Sequence, residues 1–139
     1  MSATFDAAND EILAFFATAW TPTGLLALYE NVAGAKPTAQ VSWAKVSLRH
    51  GGGRQSSLSG GLGTSRFDRT GIVTVQIFIP NGQGLSEGYE LGKVVIDAFE
   101  GKATASHIWF RNAKITEVGP SDEWFQLNVT IEFSYDEIK

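Results

Sequence analysis

The chain has 139 residues, a net charge of −4 and no cysteine, which excludes disulfides, thiolate metal sites and cysteine nucleophiles. Its length suits one domain, residues 1–139, with a core of its own. It holds no run of eighteen apolar residues, so no membrane span is expected, and no basic segment precedes an apolar stretch at the N-terminus, so no secretory signal is expected either.

Thr4 or Asp6 is placed to cap a first helix. Phe5, Ala8, Ile12, Phe15, Phe16 and Ala19 give that helix a broad apolar stripe, and Pro22 and Gly24 end it. The alternation of Leu25–Val32 permits a short strand near a sheet edge, closed by Gly34 and Pro37. Val41–Arg49 reads as a strand, with Val46 and Leu48 on one face and Trp43, Lys45 and Ser47 on the other. His50–Ser65, HGGGRQSSLSGGLGTS, has almost nothing to bury and cannot offset its own ordering entropy. It is expected to form a long mobile arm, about 50–65, between two strands, and to order against a partner.

Arg69–Phe99 reads as a strand, a glycine turn and a helix. Val73, Val75, Ile77 and Ile79 fall on one side of the strand, and Thr74, Gln76 and Phe78 on the other. This is the longest β-branched run in the chain, which makes it the expected central strand. Pro80 has no N–H to donate and stops the ladder, and Asn81-Gly82-Gln83-Gly84 supplies the reversal. From Leu85 the period is helical, with Leu85, Tyr89, Val95, Ile96 and Phe99 on one face and Gly101 at the C-terminal end. Ile108–Val118 is a further strand, and Gly119-Pro120-Ser121-Asp122 a turn. Trp124–Tyr135 then alternates cleanly: Phe125, Leu127, Val129, Ile131, Phe133 and Tyr135 inward, Gln126, Asn128, Thr130, Glu132 and Ser134 outward. Strands and helices do not alternate regularly, so the expected class is α+β: an antiparallel or mixed sheet of four to five strands with two helices packed on one face.

Charge is unevenly placed. Residues 1–30 hold Asp6, Asp10, Glu11 and Glu30 and no base; residues 36–69 hold Lys36, Lys45, Arg49, Arg54, Arg66 and Arg69 against Asp68. Residues 117–139 are acidic again, with Glu132, Asp136 and Glu137 among six carboxylates against Lys139. A basic middle and acidic ends can complement each other between copies of the chain. The outward face of the last strand is polar and partly acidic.

A hydrolase pattern is also present. His50–Gly53 matches an HGGG oxyanion loop, Gly84–Gly88 matches G-x-S-x-G, and Asp97 and His107 follow in order. The chain is too short for the parallel hydrolase sheet, Asp97 lies mid-helix, and the turn before Ser86 is too loose for a nucleophile elbow. Ser86 reads more simply as a helix N-cap, and no catalytic residue is assigned. Gly88–Val94 lacks the P-loop spacing, and two histidines without cysteine point to no metal site or cofactor. The arginines together with Trp43 and Trp109 leave a nucleic-acid module as a distant alternative, opposed by the net negative charge.

The order WAKVSLR, a Gly/Ser arm, RFDRTGIVTVQIFIPNGQG, a helix and a C-terminal WFQLNVTIEFSYDE resembles a family of small tailed-phage proteins of the tail-terminator and minor tail type. The likeness runs from about Tyr29 to Glu137 and is densest at Arg69-x-Gly71, Val75–Gly84 and Phe133-x-Tyr135. It implies a structural virion protein, not an enzyme. Such a subunit forms a hexameric ring at the head-proximal end of the tail, assembled in the bacterial host cytoplasm. The ring caps the tail tube, stops its polymerisation and joins the head. The implied partners are further copies of the chain, the tail tube protein and a head–tail connector protein, with DNA passing through the lumen without specific binding and no membrane. Another neck or tail-completion protein is the close alternative. On the charge pattern, the expected contact residues are Arg49, Arg54, Arg66 and Arg69 with the arm, and Glu132, Asp136 and Glu137 on the opposing side.

Overall fold

The computed structural model describes residues 3–55 and 65–139. In chain order the elements are α1 (Phe5–Trp20), a 3-10 turn (Thr21–Thr23), β1 (Leu26–Tyr29), β2 (Trp43–Gln55), β3 (Arg66–Pro80), α2 (Ser86–Phe99), β4 (Trp109–Ser121) and β5 (Trp124–Ile138). The strands form one sheet in the order β1-β2-β3-β5-β4. β1 runs parallel to β2 and every other pairing is antiparallel, so the sheet is mixed. β3 is central, as its β-branched run indicates.

The period-two pattern sorts the sheet into two faces. Ala44 and Val46 of β2, Val73, Val75, Ile77 and Ile79 of β3, and Leu127, Val129, Ile131 and Phe133 of β5 are buried on one. Both helices cover that face. α1 contributes Ala8, Ile12, Phe16 and Trp20, one residue per turn. Trp20 Nε1 donates to the Leu25 carbonyl at 3.0 Å and ties the helix exit to β1. Phe15, Phe99 and Phe110 pack mutually at centroid distances of 4.7–5.7 Å, joining the helices to β4.

The packed face of α2 keeps Val95 and Phe99 of the expected stripe, with Leu85 and Ile96 partly buried beside them, and adds residues that apolar periodicity does not select. The buried residues are Gly88, Leu91, Gly92, Val95, Ala98 and Phe99. Tyr89 stays 43% exposed and donates its hydroxyl to Glu117 at 2.8 Å. Gly88 and Gly92 lie one turn apart, and a Cβ there would stand 2.6 Å from Leu127 Cδ1 or 2.7 Å from Ile115 Cδ1. The helix therefore seats on the sheet through its glycines, which carry no hydrophobic signal. Ser86 is the first helical residue and Leu85 occupies the N-cap, so Ser86 is not the cap.

Two further boundaries shift. β2 continues through His50–Gln55, six residues of the expected arm, because this backbone pairs with Phe67–Gly71 after a bulge between His50 and Gly53. Ladder hydrogen bonds order glycines that side-chain burial could not. Residues 56–64 of the arm lie outside the described residues. At the other hairpin, β4 runs on through Gly119, Pro120 and Ser121, and only Asp122 and Glu123 form the turn, with Asp122 at φ 55°.

Among the described residues, no helix lies over the opposite sheet face. At one end Trp43, Phe78 and Trp124 form a second small core with Leu28, the first two stacked at 4.2 Å. Trp124 Nε1 donates to the Val41 carbonyl at 3.0 Å, whereas Trp43 Nε1 has no partner among the described residues. The face of Trp43 that alternation marks as polar is thus locally apolar.

Candidate assembly interface

Beyond that aromatic corner the open face is polar. Following the register across β2, β3, β5 and β4, it presents the rows Lys45–Gln76–Asn128–Thr116, Ser47–Thr74–Thr130–Lys114 and Arg49–Ile72–Glu132–Arg111. Thr70–Ser134–Trp109, Arg54–Asp68–Asp136 and Arg66–Ile138 continue it toward the chain end. A groove of about 480 Å³ lies here, lined by Arg66, Asp68, Trp109, Arg111, Asp136 and Ile138 among others.

A bulge in β4 between Arg111 and Lys114 decides part of this arrangement. Residues three apart would point to opposite faces of a regular strand; with the bulge, Arg111 faces Glu132 and Lys114 faces Thr130, so both lie on the open side. Asn112, inside the bulge at φ 55°, donates to Glu132 Oε2 at 3.0 Å.

Four of the seven expected contact residues pair with one another within the subunit, and the other three meet groups outside that set. Antiparallel pairing of β3 with β5 sets the basic start of β3 beside the acidic end of β5. Arg66 lies 3.5 Å from Asp136 and Arg69 lies 3.1 Å from Glu137. Arg54 meets Asp68 at 3.6 Å, and Arg49 makes a two-pronged contact with Glu30. Arg49 and Arg54 are exposed, and Arg66 is more than half exposed, so these pairs add little to stability.

Arg69 and Glu137 differ, with side chains only 14% and 16% exposed. The Arg69 guanidinium also lies 5.3 Å from the Phe5 ring and 5.5 Å from the Phe67 ring. Beside it, His50 Nε2 is 2.8 Å from the Tyr135 hydroxyl, and His50 packs edge-on against Phe5 and Phe133. Burial and the nearby Arg69 charge hold the His50 pKa below its ordinary value. Burial, reinforced by Glu137, pushes Tyr135 up to about 12. A protonated phenol donating to a neutral imidazole satisfies both shifts. This cluster closes the open end of the main core.

Cross-strand neighbours Asp68 and Asp136 sit side by side. Burial and the hydrogen bond with Asp68 raise the Asp136 pKa, against the pull of Arg66. At the other edge, hydrogen bonding from Arg49 lowers the pKa of Glu30.

The partly acidic face expected from β5 alone changes sign once its neighbours are added. Lys45, Arg49, Arg54, Arg66, Arg111 and Lys114 outnumber Asp68, Glu132 and Asp136. Trp109, 59% exposed, and Ile72, 45% exposed, lie among them. Sequence reading passes over Arg111 and Lys114 because their shared face depends on the bulge.

The hydrolase residues do not form a site. Asp97 is engaged by Lys93 at 2.7 Å, His107 sits in a turn at φ 62°, and Ser86 is exposed in the first turn of α2. Among the described residues, no group of three or more His, Asp or Glu side chains is placed to hold a metal ion. No described helix is long and apolar enough to cross a membrane.

Comparison with known proteins bears on these observations. A family model described as phage tail terminator protein matches residues 6–133, nearly the whole chain. No curated protein sequence matches. One solved protein structure, 14% identical, superposes with a TM-score of 0.64 over 91% of this chain and 94% of its own. At that identity the likeness is one of fold.

Proposed function

This chain belongs to the phage tail terminator family, whose members are structural proteins of phage tail assembly, and from that premise we propose that it acts as the terminator itself. As a family member it is a virion component. In this reading its copies close into a hexameric ring at the head-proximal end of the tail. The ring stops tube polymerisation and offers the surface that a head–tail connector protein joins, while DNA passes through the lumen without specific contacts.

The observation that carries the reading is the family match over residues 6–133. The form of the subunit supports it: an uncovered sheet face with exposed apolar and charged side chains is a surface suited to partners. Being cationic, that face is unsuited to line a DNA passage and is assigned to protein contact. Arg54 and Arg66, on the strand ends that flank residues 56–64, are assigned to contact with the ring neighbour or the tube, together with Arg49, Glu132 and Asp136. Arg69 and Glu137 are assigned to the fold, since they are paired with each other and largely shielded from solvent.

The test is twofold. Light scattering and negative-stain microscopy of the concentrated protein should show closed rings with a central hole. Added to polymerising tube protein, it should bind tube ends and arrest growth, and R54E/R66E should weaken ring formation or docking while the fold is kept. Tubes that grow to the same lengths with and without the protein would overturn the reading.

A further inference from the structure

The open sheet face and the helix layer are the two broad sides of this subunit, and they carry opposite charge. On the sheet side, Arg111 and Lys114 make no ion pair among the described residues. Lys45 is likewise free of one, and Trp109 and Ile72 stand exposed beside these cations. On the helix side, Asp6 and Asp10 of α1, Glu90 and Asp97 of α2, and Glu100 just beyond it are exposed. The bases in that layer are Lys93, bound to Asp97, and Lys102. Phe5 and Tyr89 are 52% and 43% exposed there.

Surfaces on opposite sides of one subunit cannot meet within it, but a second copy can bring its helix layer to the first copy's sheet. We propose that the open sheet face of one copy docks on the acidic helix layer of the next, with Trp109 as the apolar anchor and Arg111 and Lys114 as the charge contacts. The inference rests on the ring reading above and names the surfaces that join the ring. Contact between unlike faces is heterologous, the kind that propagates head to tail and closes into a ring when the rotation per step permits. Complementary potentials fix the partner and the register, and tryptophan and arginine are the side chains that most often dominate such contacts. A polyanion such as DNA is the less favoured occupant. Glu132 and Asp136 stand among the cations of that face, and the chain already supplies the complementary acidic surface.

Unlike faces make a specific mixing experiment possible. R111E/K114E turns the sheet face acidic, and E90K/E100K makes the helix layer basic, all at exposed positions that leave the core untouched. Sedimentation equilibrium at low ionic strength should show each variant associating about a hundredfold more weakly than wild type, since opposed like charges cost several kcal/mol. An equimolar mixture should regain association, because acidic sheet then meets basic helix layer and basic sheet meets acidic helix layer at alternate contacts. W109A should weaken association with its thermal unfolding unchanged. The proposal is overturned if wild type stays monomeric at its highest soluble concentration, if R111E/K114E associates as wild type does, or if mixing restores nothing. Duplex DNA binding abolished by R111E/K114E, with association intact, would assign the face to nucleic acid instead. Tube capping by wild type with association indifferent to the charge changes would remove this interface and keep the terminator reading. Rings that obey the mixing rule but fail to arrest tubes would do the reverse.

Discussion

Gly71 of β3 pairs with His50 of β2 on one side and with Phe133 of β5 on the other, and replacing it by alanine probes the sheet at that crossing point. A Cβ there would fall well inside van der Waals contact of the Arg49 carbonyl oxygen and of Phe133 Cζ, and 2.7 Å from Phe133 Cε2. The carbonyl belongs to the ladder between β2 and β3 and cannot retreat without lengthening those hydrogen bonds. The Phe133 ring is 1% exposed, stacked on Tyr135 and met edge-on by His50, so a shift of the ring disturbs both contacts. Overpacking of a core costs roughly 1–3 kcal/mol, and with two rigid neighbours obstructed at once the upper end applies, about 3 kcal/mol. For a chain of this size that corresponds to a fall of roughly 10 °C in Tm. Urea denaturation followed by circular dichroism reads the change directly. G52A is the control: nothing lies within 4 Å of its Cβ position, so its stability should stay within about 0.5 kcal/mol of wild type. In the double variant G71A/F133L the ring atoms are gone, and a coupling of roughly 1 kcal/mol in favour of the pair is expected. A G71A protein as stable as wild type would refute the reasoning, because the close strand approach at Gly71 would then not exist.

The ion pair between Arg69 and Glu137 and the His50 ring give two further expectations. R69M should cost about 2 kcal/mol, somewhat less than loss of one partner from a fully buried pair, because it strands the Glu137 carboxylate. R69M/E137Q should recover at least half of that in urea melts; strictly additive costs would deny the coupling. For His50, burial keeps the folded pKa below 6.5, so the unfolded chain binds the proton more readily. Stability should therefore be full above pH 6.5 and fall as pH drops from there through the folded-state pKa. Relative to wild type, H50Q should lose this slope; identical pH profiles for the two proteins would show that His50 is not buried neutral.

Much of this fold is legible in the chain because it depends on local periodicity. The alternation of Val73, Val75, Ile77 and Ile79, and that of Leu127 to Tyr135, sets which face of the sheet is buried, since side chains on a strand must alternate. The spacing of Ala8, Ile12 and Phe16 likewise sets the buried side of α1. Where periodicity carries no signal, the sequence reading goes astray. Gly88 and Gly92 seat α2 through close approach, and glycine adds nothing to an apolar stripe. His50–Gln55 pairs through its backbone, which glycine and serine content does not disclose.

The interface residues divide in the same way. That arginines cluster in the middle of the chain and carboxylates at its ends follows from the sequence alone, as do the α+β class, the central strand and the likeness to tail-terminator proteins. That Arg66 and Arg69 meet Asp136 and Glu137 inside one subunit was decided by the pairing of β3 with β5, a contact between segments almost seventy residues apart. Likewise, one extra residue in β4 puts Arg111 and Lys114 on the same face, and the sheet order sets them beside the cations of β2. Local chemistry determines what each segment becomes and which of its sides is buried. The charge that the finished surface presents depends on which distant segments are brought together, and only the tertiary structure settles that.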